Sequence, residues 1–156
     1  MPLTFAEAMK SSSHDVGPLH SADVVIPSDP AEARVVQDRI EQVLQERQTA
    51  DRDIFCIKLA LEEALVNAIK HGNQMDRAKK VRIRYHVLSD RFECSISDEG
   101  PGFDPGEVPD PTAPENLERP CGRGLMLMRH YMTEVTYNDR GNSVAMCKVF
   151  RNNGKK

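Results

Sequence analysis

The chain has 156 residues, the length of one domain with or without a tail, and enough to bury a core without disulfide or metal staples. Its 21 Lys and Arg against 24 Asp and Glu leave a net charge of −3, which speaks against a dedicated nucleic-acid binder. No apolar run approaches the ~18 residues of a membrane span, and the serine-rich start with Glu7 is no export signal. The four scattered cysteines (Cys56, Cys94, Cys121, Cys147) therefore read as free thiols of a cytoplasmic protein.

Residues 1–22 carry a serine triplet, Gly17 and Pro18 with little periodicity, and predict a disordered tail. Val24-Val25-Ile26 predicts a short strand stopped by Pro27. Asp29-Pro30-Ala31-Glu32 opens a helix over 30–47: Asp29 as N-cap, Pro30 in the first helical position, and Val36, Ile40, Val43 and Leu44 at helical spacing. Asp53 can cap a second helix running to His71, with Gly72 as its stop and Ile57, Leu61, Ala64, Leu65 and Ala68 as its core stripe. Val81–Val87 and Arg91–Ser97 alternate with period two around Ser89-Asp90, an antiparallel hairpin. Residues 99–121 hold six prolines and three glycines without periodicity. A loop that long inside one domain is usually functional, and 104–121 is predicted to be a lid that orders on ligand binding. A short apolar helix over Gly124–Met132 and a hairpin over Glu134–Tyr137 and Ser143–Phe150 complete a domain spanning 23–152, with a short basic tail at 153–156. Hairpins interleaved with helices give an α+β two-layer α/β sandwich, with helices on one face of a mixed, mostly antiparallel sheet.

Three motifs carry chemistry. Glu63, Asn67 and His71 are each four apart and line one ridge of the second helix, while Glu62 sits about 100° around and cannot share their task. Asn offers a neutral oxygen to a hard cation such as Mg²⁺, and Glu can deprotonate a nucleophile. Asp98-Glu99-Gly100-Pro101-Gly102-Phe103 follows a strand; its carboxylate suits a donor such as an adenine amino group, and its glycines admit close backbone approach. Gly122-Arg123-Gly124-Leu125 opens a helix, where free amides and an arginine make an anion site. Taken singly, each also fits a blander reading: a polar helix flank, a tight turn, a flexible join. No GxxxxGK[ST] phosphate loop is present.

In this order the three resemble the nucleotide-binding signature of the GHKL (Bergerat-fold) ATPases, the family of histidine kinases, gyrase B, Hsp90 and MutL. Glu63-x-x-x-Asn67 matches the N box, Asp98-x-Gly100-x-Gly102 the first glycine box and Gly122-Arg123-Gly124-Leu125 the second. The resemblance covers about residues 24–150. Within the family, Glu63 through Gly72, the Gly102-Phe103-Asp104 stretch and the Gly-Arg-Gly-Leu helix start resemble the stand-alone anti-sigma-factor serine/threonine kinases. Histidine kinases usually carry another residue in place of that Glu. The lid departs from the family in its prolines Pro109, Pro111, Pro114 and Pro120, which stiffen it.

The resemblance implies ATP and Mg²⁺ as cofactors, with Asp98 reading adenine, Asn67 holding the metal and Glu63 as general base. The ATP-binding set it implies is Asn67, His71, Asp98, Gly100, Gly102, Phe103, Arg119, Gly122, Arg123, Gly124 and Leu125, with Arg119 or Arg123 meeting the γ-phosphate. It also implies two partners, a STAS-type antagonist as phospho-acceptor and an RNA-polymerase sigma factor, and leaves a homodimer open. The alternatives are a regulatory module that binds nucleotide without transfer, and a detached histidine-kinase catalytic domain. The basic stretch Arg77–Arg84 reads as a solvated or partner-facing edge rather than a nucleic-acid site, because Arg82 and Arg84 share the outer face of a strand and no aromatic interleaves them. Met126, Met128 and Met132 read as core filler. His14 and His20 fall in the tail without an evident partner.

Overall fold

A five-stranded sheet carries three helices on one face, in a computed structural model that describes residues 19–101 and 120–151. In chain order the elements are β1 (His20–Pro27), α1 (Pro30–Glu46), α2 (Asp51–Val66, continued as a π-helical turn over Asn67–Gly72), β2 (Lys80–Val87), β3 (Arg91–Ser97), α3 (Pro120–Tyr131), β4 (Glu134–Tyr137) and β5 (Ser143–Val149). The strand order is β1-β2-β3-β5-β4. Every pairing among the described residues is antiparallel, so the α+β sandwich stands and the sheet expected to be mixed is uniform.

The core lies between the layers. Val81, Ile83, Tyr85 and Val87 of β2 turn to the helices with Phe92, Cys94 and Ile96 of β3 and Val144 and Met146 of β5. They meet Ile57, Leu61, Ala64, Leu65 and Ala68, the predicted stripe of α2, all at most 4% exposed. β3 is buried on both faces, Glu93 and Ser95 included, because it is the central strand. The basic stretch is solvated, but on the inner strand β2 rather than an edge, because β1 pairs along its outer side: Arg82 forks onto Asp23 of β1, and Arg77 pairs with Asp29.

Several local expectations need correction. β1 begins at His20, four residues earlier than Val24, because its whole length pairs with β2 from His20↔Val87 to Pro27↔Lys80. His20 is therefore not a partnerless tail residue; its ring stacks on Tyr85 at 5.6 Å. Asp29 does cap α1, accepting from the Ala31 N–H at 2.9 Å. Asp53 does not cap α2. The helix starts two residues earlier, and the Asp53 side chain is fully buried, where Oδ2 accepts the backbone N–H of Arg151 at 2.9 Å. The helical run does end at Gly72 as predicted, but not through a left-handed glycine; the positive φ values that follow it fall on Gln74 (54°) and Met75 (62°). α3 starts at Pro120 rather than Gly124, with proline in a position where its missing N–H costs nothing. Met128 and Met132 are core residues, but Met126 is 44% exposed. Of the predicted tail at 1–22, residues 1–18 lie outside the described residues, while 20–22 belong to β1. Of the predicted lid at 104–121, residues 104–119 lie outside them, while 120–121 belong to α3; the tail at 153–156 lies outside them too.

Candidate nucleotide site

The end of α2 meets the exits of β3 and the β4–β5 turn around a solvent-open cleft. Ala64, Asn67, Ala68, His71 and Gly72 form its helical wall; Ile96, Asp98 and Val144 come from the sheet, and Tyr137, Gly141 and Asn142 from the last hairpin. Two of the three motifs, separated by a whole hairpin in sequence, thus share one cleft. The third touches its rim: a Cβ placed on Gly124 of α3 would lie 3.0 Å from Glu63 Oε1 and 3.1 Å from Asn67 Nδ2. With a glycine there, α3 sits close to both side chains without displacing either.

Glu63 and Asn67 stand on one ridge, as their spacing requires. Asn67 is 8% exposed, and its Nδ2 finds no hydrogen-bond partner among the described residues. A buried carboxamide whose N–H donors are unmet beside a cleft suits a ligand with acceptor oxygens, such as a phosphate, because leaving such a group unpaired costs about 1–3 kcal/mol. Glu62 points away and accepts from Gln37 Nε2 of α1 at 2.9 Å.

Asp98 is held from several sides. Its N–H donates to the Asn142 carbonyl at 2.9 Å, and its Oδ1 accepts the Gly100 N–H at 2.7 Å. Burial holds its carboxyl above the ordinary range, against the pull of the Gly100 N–H and of Lys79. Gly72 lies flush against that carboxylate, and Gly100 lies flush against the Gly72 carbonyl; a Cβ on either would overlap its neighbour. Glycine is needed at 72 for this approach, at the last residue of the helical run.

Leu125 packs into the core at 4% exposure. Gly122 and Arg123 fall in the first turn of α3, whose side chains lie outside the described residues with Gly102, Phe103 and Arg119. Sequence reasoning missed Tyr137, Gly141, Asn142 and above all Asn73. The hairpin residues carry no motif, and Asn73 follows the helix where it resembles any polar helix end. The one available signal was the Asp139–Asn142 turn, whose register with β3 was not readable.

A family profile described as the histidine kinase-like ATPase domain matches residues 26–148. The chain belongs to the histidine kinase-like (GHKL) ATPases. Curated relatives are named serine-protein kinase RsbW, in keeping with the serine/threonine-kinase branch that the motifs resemble. The Bacillus subtilis protein is 29% identical over 133 residues, covering 81% of this chain and 83% of the relative. A Staphylococcus aureus protein is 33% identical over 117 residues, covering 67% and 74%. The Bacillus licheniformis protein is 34% identical over 103 residues, 62% of this chain, and the match spans just under two thirds of the relative, 64%. The crystal structure of the RsbU and RsbW domains of a Mycobacterium tuberculosis protein superposes with a TM-score of 0.59 at 16% identity, over 87% of this chain and 34% of that one. That likeness supports the fold. No helix among the described residues is long and apolar enough to cross a membrane.

Proposed function

We propose that this chain is an ATP-dependent protein serine/threonine kinase of the anti-sigma type, passing the γ-phosphoryl group of ATP to a Ser or Thr of a STAS-type antagonist in the cytoplasm and sequestering a sigma factor. The observation that carries this reading is the convergence of Gly124 on Glu63 and Asn67, with Asp98 across the same cleft. The RsbW relatives, named as serine-protein kinases, support it. Asp98 accepts a hydrogen bond from the adenine amino group, and Asn67 offers its carboxamide to Mg²⁺. The metal, when bound, neutralises charge on the phosphates. His71 and the backbone around Gly100 and Gly124 complete the cradle, and the resemblance adds Gly102, Phe103, Gly122, Leu125 and, for the γ-phosphate, Arg119 or Arg123 to the residues that contact ATP. Glu63 takes the proton of the acceptor hydroxyl as the new P–O bond forms and ADP leaves. A serine hydroxyl needs such help at neutral pH, and a positioned base contributes ~10²–10⁴-fold.

Single-turnover phosphorylation of a STAS-type antagonist tests the assignment, with ATP affinity measured separately. Glu63→Gln is expected to slow transfer by about two orders of magnitude or more while holding ATP affinity within a few-fold. Glu62→Gln, bonded to α1, is expected to change neither. A wild-type chain that binds ATP and sigma but transfers nothing would instead be a nucleotide-binding regulatory module.

A further inference from the structure

Directly behind the cleft lies a buried polar ring. Asn73, 0% exposed, follows the π-helical turn of α2. Its Oδ1 accepts the Glu99 N–H at 2.8 Å, and its Nδ2 donates to Ser28 Oγ at 2.9 Å and to the Lys80 carbonyl at 3.0 Å. Lys80 closes the ring, its N–H donating to Glu99 Oε1 at 2.6 Å, while Ser28 Oγ donates to the Lys79 carbonyl at 2.8 Å. One side chain thus ties together the exits of β1, α2 and β3 and the start of β2.

The bond to Glu99 bears on the residue before it. Asp98 and Glu99 share a peptide unit, and the Glu99 N–H is that unit's donor. Asn142 fixes Asp98 on its N-terminal side, Asn73 fixes it on the C-terminal side, and Gly72, directly before Asn73, packs against the carboxylate. The same two-residue step of α2 therefore sets both where the carboxylate rests and how its peptide is turned. We infer that Asn73 is a positioning residue for base recognition: through the Glu99 N–H it aims the Asp98 carboxylate, and it thereby fixes the preference of the cleft for a base carrying an exocyclic amino group over one carrying a carbonyl. This rests on Asp98 being the acceptor for the base.

The probes are ATP and inosine triphosphate, which differ in having an amino group or a carbonyl oxygen at the same ring position. Titration calorimetry gives the ratio of their dissociation constants for each variant, and thermal melting without nucleotide gives stability. Asn73→Ala is expected to cut the wild-type preference for ATP by about tenfold, the scale of one misaimed hydrogen bond. A merely structural residue would weaken both nucleotides alike and leave the ratio untouched. Asn73→Asp keeps an acceptor toward Glu99 and loses both donations, so it should melt lower yet hold the ratio better than Ala. Ser28→Ala loses only the far side of the ring and should lower stability with the ratio unchanged. An unchanged ratio in Asn73→Ala overturns the inference, as does failure of both Asn73 variants to fold. If wild type itself prefers neither nucleotide, the fault lies with Asp98 as base reader. If Asp98→Asn abolishes the preference and Asn73→Ala does not, the fault lies with Asn73 alone.

Discussion

Gly124 touches Glu63 and Asn67 while serving as an ordinary residue of α3, and the two roles pull in opposite directions on substitution. Alanine favours the helix by about 1 kcal/mol. Its Cβ, however, would stand 3.0 Å from Glu63 Oε1 and 3.1 Å from Asn67 Nδ2, tight contacts with side-chain ends that can give way. Gly124→Ala is expected to melt at or above wild type while phosphoryl transfer falls about tenfold or more, since small misplacements at a reacting centre are costly. Circular dichroism melts beside single-turnover rates check both halves. Asp98 shows a related conflict through pH. Burial raises its pKa in the folded chain, so the fold binds that proton more tightly than the unfolded chain does. Its favourable contribution is therefore complete below the ordinary carboxylate range and is lost as pH rises through the raised value. Without nucleotide, Asp98→Asn should melt no lower than wild type at pH 7, and any advantage should vanish near about pH 4. A variant markedly less stable than wild type at pH 7 would contradict this account.

At the scale of elements, α2 is the piece that joins core to chemistry. Its stripe from Ile57 to Ala68 fills the space above the sheet, and its neighbouring ridge carries Glu63, Asn67 and His71. Asp53 anchors the other end of the helix by receiving the Arg151 N–H just past β5. Asp53→Ala should cost about 1 kcal/mol in urea unfolding, the scale of one lost hydrogen bond, and should speed hydrogen exchange where β5 ends. Full retention of stability would show that Asp53 is not an anchor. The sequence predicted α2 and its stripe well because apolar spacing is local information. It misassigned Asp53 because an acidic residue near a helix start looks alike whether it caps its own amides or accepts a backbone N–H 98 residues later. The same limit applies at Gly72, where close approach to Asp98 and a left-handed turn call for the same residue type.

For the molecule as a whole, the sheet order brings together what the chain separates. The motifs drew attention to Asn67 and Asp98, which line the cleft, and to Glu63, one turn of α2 before Asn67, through their residue types. The framework around them depends on register: Asn73 reaches Ser28 across 45 positions and Glu99 across 26, spans at which spacing and periodicity carry no signal. The Asn142 carbonyl that fixes the Asp98 N–H comes from the turn before β5, a strand that inserts between β3 and β4. This has a consequence for biosynthesis. A growing chain releases the N box well before that turn, and helix α2 can form while Asp98 still lacks its anchor. Nucleotide therefore cannot act as a folding template for the early chain; it can stabilise only a molecule whose last hairpin has already left the ribosome and closed against β3.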